Sequence, residues 1–123
     1  MTLVLVGAGG FFGAISRDLV DGWVASTTGG GFPWGTLVVN VTGSFVLGVL
    51  FAASVERGVI SPDIRAPILV GFIGAYTTFS TLTLEKWRLV ESGSYVLAIG
   101  NMGGSLILGL VAVVAGLALG RLA

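Results

Sequence analysis

The side chains of this chain that could do chemistry inside its apolar sequence are neutral. Among 123 residues there is no His and no Cys, which excludes imidazole and thiolate metal sites, disulfides, and His or thiol catalysis. What remains is amides, hydroxyls and backbone carbonyls. Asn40 stands several residues inside one apolar run, and Asn101 and Ser105, four apart, share one helical face of another. An amide in hydrocarbon without partners costs on the order of a few kcal/mol. Asn40 therefore meets either another helix, as a hydrogen-bonding partner, or a wet pathway, and the same two roles are open to Asn101 and Ser105. The most polar apolar-flanked stretch is Gly74-Ala75-Tyr76-Thr77-Thr78-Phe79-Ser80-Thr81-Leu82-Thr83, with five hydroxyl residues in the seven positions from Thr77 to Thr83. Gly74 and the β-branched residues after it weaken a helix. A break there frees carbonyls at membrane depth, where only protein, water or an ion can satisfy them. Carbonyls suit a hard cation, and hydroxyls can donate to an anion. The alternative is a regular helix whose hydroxyls bond back to preceding carbonyls; the coincidence of Gly74 with so many polar groups favours the break.

These residues need apolar elements to carry them. The chain is 54% hydrophobic and only 10% charged, against a usual charged share of about 25%, and its mean hydropathy is +1.03. Six Lys and Arg balance six Asp and Glu, so nothing recruits nucleic acid. This is the composition of a small integral membrane protein. Charges are absent from four stretches, which predict a single all-α transmembrane domain over 1–123 with spans at about 3–24, 34–55, 66–84 and 95–120. Ser26–Pro33 reads as a loop, and Glu85, Lys86, Arg88 and Glu91 as a solvated loop with Trp87 at the interface. The apolar N-terminus has no preceding Lys or Arg and no clear cleavage site, which argues against a signal peptide. Arg17 closes the first span, four residues from Asp21, with which it could pair. With four spans, Arg57, Arg65 and Arg121 fall on one side, and Arg17, Lys86 and Arg88 on the other. The positive-inside rule gives no preference, which permits an antiparallel dimer of identical chains.

The spans also show internal order. Asn40-Val41-Thr42-Gly43-Ser44-Phe45-Val46-Leu47-Gly48 aligns with Asn101-Met102-Gly103-Gly104-Ser105-Leu106-Ile107-Leu108-Gly109, as in a doubled hairpin. Small residues four apart allow helices to approach closely: Gly9 and Gly13, Ser44 and Gly48, Gly100 and Gly104, Ser105 and Gly109, Gly116 and Gly120. No span holds a carboxylate near its centre, where proton-coupled transporters generally keep one.

Together these residues resemble the Fluc (CrcB-type) fluoride channel family. The resemblance rests on Gly9-Gly10-Phe11-Phe12-Gly13-Ala14-Ile15-Ser16-Arg17, on Gly35-Thr36-Leu37-Val38-Val39-Asn40-Val41-Thr42-Gly43-Ser44-Phe45, and on Gly71-Phe72-Ile73-Gly74-Ala75-Tyr76-Thr77-Thr78-Phe79-Ser80-Thr81. It implies a passive, non-enzymatic channel of the cell membrane that exports fluoride, built as an antiparallel dual-topology dimer of four-helix subunits in lipid. It implies a central structural Na⁺ held by the carbonyls of Gly74 and Thr77. By resemblance Asn40 is the pore asparagine and Phe79 the first of two pore phenylalanines. Ser80, Thr81 and Ser105 match the hydroxyl track, Arg17 the vestibule arginine, and Glu85 the acidic residue after the third span. Leu82 departs from the family, which usually has Phe there, and Asn101 stands where some relatives carry Tyr. Some members pair two unequal subunits, so homodimer and heterodimer both remain open.

Two other functions compete. A small multidrug-type proton antiporter also has four helices, but it needs a carboxylate within its first span; here Asp18 and Asp21 lie only at that span's end. A non-conducting subunit that works with a homologous partner is the second.

Overall fold

The computed structural model describes residues 2–28, 34–58, 60–77 and 80–122, with side chains from residue 83 onward in the last of these. The described residues are helical throughout, joined by short turns. Helix α1 spans Thr2–Thr28 and α2 spans Trp34–Phe51, continuing as a wide π-helical turn over Ala52–Glu56. A third helical stretch is built from α3 (Pro62–Ala66), a π-helical segment (Pro67–Ile73), α4 (Gly74–Tyr76) and α5 (Ser80–Glu91). Helix α6 spans Tyr95–Leu122. Three helices, Thr2–Thr28, Trp34–Glu56 and Tyr95–Leu122, are long and apolar enough to cross a membrane. The third stretch is divided, so it contributes no uninterrupted helix of that length.

Helix reaches into both of the expected loops. Helix α1 runs on to Thr28, and the hydroxyls of Ser26, Thr27 and Thr28 bond back to the carbonyls of Trp23, Trp23 and Val24 at 2.8, 2.9 and 2.9 Å. Residues 29–33 lie outside the described residues. Glu85–Glu91 is not a solvated loop either: it is the body of α5, and Lys86 is only 4% exposed. Trp87 does face outward, at 59%. The turn into α6 is confined to Ser92–Ser94. There Gly93, at φ +82°, takes the left-handed conformation that closes a helix C-terminus, with Gly93 N–H donating to Val90 O and Ser94 N–H to Leu89 O.

The wide turns have local causes. Pro67 supplies no N–H, and the helix widens from it. The turn at Ala52–Glu56 ends with Arg57 N–H donating five residues back to Ala52 O at 2.9 Å. Its displaced Ser54 carbonyl accepts from Arg65 Nη2 at 2.9 Å, and Arg57 Nη1 reaches the Gly120 carbonyl near the end of α6 at 3.3 Å. The exposed pair Arg121–Glu56 is two-pronged, at 2.8 and 2.9 Å. Arg57, Arg65 and Arg121 thus gather at one end of the molecule.

Glycine lets the backbones meet. Gly9 and Gly13 of α1 lie against Pro67 and Phe72, and Gly71 lies against Val6 O, where a Cβ would stand 2.5 Å away. Gly48 of α2 packs on Val113 and Leu117 of α6, and Gly116 and Gly120 pack on Phe45, Val49 and Ala52. Four of the five small-residue pairs therefore face a neighbouring helix. Gly100 and Gly104 do not: a Cβ on either would meet nothing within 4 Å. Large apolar side chains point outward, among them Leu3, Phe11, Trp23, Val96 and Ile99 at 60% exposure or more. That surface suits lipid or another subunit rather than water.

Candidate functional site

Helices α2 and α6 run parallel: Ser44 stands beside Gly109, Gly48 beside Val113 and Leu117, and Ala52 beside Gly120. In sequence the repeat aligns Asn40 with Asn101. In space α6 is shifted by about a turn, so Asn40 is level with Ser105. A groove of about 490 Å³ lies between the two helices, with Asn40, Ser44 and Ser105 as its polar lining and Met102, Leu106 and Gly109 among the rest. Two residues from the sequence-predicted pathway, Asn40 and Ser105, are thus brought to one groove. Ser44 was missed, although it lies four residues after Asn40 and aligns with Ser105 in the repeat.

Beside this groove Asn101 is 1% exposed. Its Oδ1 accepts a hydrogen bond from Ser105 Oγ at 3.4 Å, and its Nδ2, a donor of two hydrogens, has no partner. A buried donor left unmade costs about 1–3 kcal/mol. Such a group in a stable helix needs a reason beyond packing.

At the N-terminal end of α2, Thr36 Oγ1 donates to Glu85 Oε2 at 2.9 Å, tying α2 to α5. The other oxygen, Glu85 Oε1, is buried without a partner, as is Arg17 Nε. Arg17 and Asp21 form no ion pair among the described residues; Asp21 instead lies against Gly35, leaving no room for a Cβ there. Thr36 is a second residue whose role only its contact reveals.

The helix break falls three residues later than Gly74. Gly74 is helical, at φ −60° and ψ −39°; the chain turns extended at Thr77, φ −85° and ψ 157°. Both the N–H and the Oγ1 of Thr77 donate to Ile73 O at 3.0 Å, which caps the helix as it ends. Gly74 is exposed, with only Leu69 O, at 3.9 Å, near the position a Cβ would take. The oxygen chemistry at the break is that of carbonyls and hydroxyls, and among the described residues no group of three or more His, Cys, Asp or Glu could hold a metal. Phe79 lies outside the described residues. Ser80, Thr81 and Leu82 begin α5, with side chains outside the described set.

Residues 4–117 match the family described as CrcB-like protein, Camphor Resistance (CrcB). The chain belongs to that family. This CrcB-like protein is 49% identical over 120 residues to the Fluoride-specific ion channel FluC of Hahella chejuensis, covering 98% of this chain and 94% of the relative. It is 43% identical over 122 residues to the protein of the same name from Magnetococcus marinus, covering 99% of each. It is 43% identical over 119 residues to that from Rhizobium meliloti, covering 97% and 95%. With three apolar helices of spanning length, this CrcB-like protein is a multi-pass membrane protein.

Proposed function

We propose that this CrcB-like protein is a fluoride-specific ion channel of the cell membrane that lets fluoride leave the cell passively. The observation that carries the reading is the neutral polar set on one pair of parallel helices: Asn40, Ser44 and Ser105 on the groove, with the unpartnered Asn101 Nδ2 beside it. Fluoride is small and strongly hydrated, so a pathway must replace its water with close donors. Amide and hydroxyl hydrogens do this without a fixed positive charge that would hold the ion. Phe79 adds a ring with an electropositive edge. Ser80 and Thr81 continue the hydroxyl track, and Arg17 draws anions to the mouth. Leu82 stands where the family usually has its second pore phenylalanine, and brings no ring edge.

The active form is an antiparallel dual-topology dimer of four-span subunits. The gathering of Arg57, Arg65 and Arg121 at one end supports this reading, since the remaining three basic residues balance them and no orientation is favoured. The exposed Gly74 beside the break supports a shared cation between two such chains. Gly74 and Thr77 would hold a Na⁺ through their carbonyls, oxygen donors that suit a hard monovalent cation. When bound, the ion supplies positive charge that ties together the two chain breaks. The absence of acidic residues from the centres of the spans disfavours the antiporter.

The test is fluoride efflux from liposomes holding this chain alone, followed with a fluoride electrode. Fast efflux that ignores a proton gradient is expected. No efflux from correctly assembled dimers overturns the homodimeric channel, and recovery on adding a homologous subunit would assign the chain to a heterodimer.

A further inference from the structure

The break at Thr77 is held from α2. Thr42 Oγ1 donates its only proton to the Val38 carbonyl at 2.7 Å. Its 3.0 Å contact with Tyr76 Oη therefore has the tyrosine as donor and the threonine oxygen as acceptor. The Tyr76 ring is stacked on Phe72 one turn earlier, centroids 6.2 Å apart and planes 7° from parallel. The next residue of α2, Gly43, leaves room for the Thr77 methyl group, and a Cβ there would also stand 3.1 Å from Tyr76 Cδ2. Thr42 and Gly43 thus grip the last helical residue before the break and the first extended one after it. The hydroxyl pair borders a small groove of about 210 Å³ lined otherwise by Gly43, Val46, Phe72 and Ile73.

We propose that the Tyr76–Thr42 hydrogen bond is a brace that sets the helix break and thereby positions the carbonyls of Gly74 and Thr77 toward their cation. The inference rests on the cation reading above, and adds to it residues that never touch the ion. Tyr76 and Thr42 are positioning residues: they hold the segment that carries the carbonyls. Without the brace the ring stack and the Gly43 socket persist, but Thr77 gains freedom about its extended conformation, and the cation must then restrain it.

The experiment uses the full-length protein in detergent, with dimer assembly followed by size-exclusion chromatography as Na⁺ is titrated against a much larger organic cation. Tyr76→Phe and Thr42→Val should each raise the Na⁺ concentration for half-assembly by about three- to tenfold, the effect of one neutral hydrogen bond. The double variant should be no worse than either single one, and Thr42→Ser, which keeps the oxygen, should behave as the parent. Amide hydrogen exchange should quicken at residues 74–77 in Tyr76→Phe and stay unchanged in α1. A parent that needs Na⁺ and variants that need no more of it overturn the brace alone. A parent that assembles equally well without Na⁺ overturns the cation reading and the brace's role with it.

Discussion

Replacing Asn101 by Leu should push stability and conduction in opposite directions. The amide is 1% exposed and its Nδ2 has no partner, while Oδ1 takes only a long 3.4 Å bond from Ser105. Leucine is close in size, apolar and a good helix former. The exchange removes a buried donor whose unmade hydrogen bonds cost about 1–3 kcal/mol. It strands no partner, because the Ser105 hydroxyl can turn to a carbonyl of the preceding turn. Unfolding in detergent should therefore show Asn101→Leu more stable than the parent by about 1 kcal/mol or more. If that donor serves the passing ion, the variant loses a hydrogen bond to a charged group, worth about 1.5–3 kcal/mol. Flux should then fall by about tenfold to a hundredfold. The assay pairs detergent unfolding with fluoride efflux from liposomes at matched dimer content. Parental flux from a stabilised variant would refute the argument that the free donor is kept for the ion. Lowered stability would show instead that the amide is structural glue.

Three further changes follow from the same geometry. Asn40→Asp places a negative charge on the groove, and fluoride efflux should drop at least tenfold; parental efflux would remove Asn40 from the pathway. Gly48→Leu drives a side chain into the α6 backbone, since even a Cβ would stand 2.5 Å from Val113 O and 2.8 Å from Leu117 N. The helices must separate, at about 1–3 kcal/mol or more, so the melting temperature in detergent should fall sharply; an unchanged value would contradict the close packing of α2 on α6. Leu82→Phe restores a ring edge worth about 1 kcal/mol, and in a homodimer flux should rise severalfold with assembly unchanged. Equal or lower flux would show that the missing ring does not limit conduction.

Much of this protein is legible in its residues because a membrane leaves the chain few choices. Apolar runs free of charge must become helices, since hydrocarbon offers no other partner to the backbone. The three long helices therefore lie close to the expected spans. A polar residue inside such a run is costly unless partnered, so Asn40, Asn101 and Ser105 stand out in the sequence as residues that call for an explanation. The hydroxyl-rich stretch after Gly74 was likewise recognisable as a place where helix would fail, and the break is there.

The tertiary structure decided where each of these residues sits. The repeat aligns Asn40 with Asn101 in sequence. The Gly48, Gly116 and Gly120 contacts slide α2 against α6 until Asn40 is level with Ser105, and no local rule contains that shift. The structure puts the break at Thr77, within that stretch, where the helix ends on two hydrogen bonds to Ile73 O and Gly43 leaves room for the Thr77 side chain. Charge alone made Glu85–Glu91 read as a solvated loop. The bond from Thr36 to Glu85 joins residues nearly fifty positions apart, and both it and the burial of Lys86 come about only when helices pack. Local sequence sets what a segment can tolerate, and long-range contact sets which partner it meets.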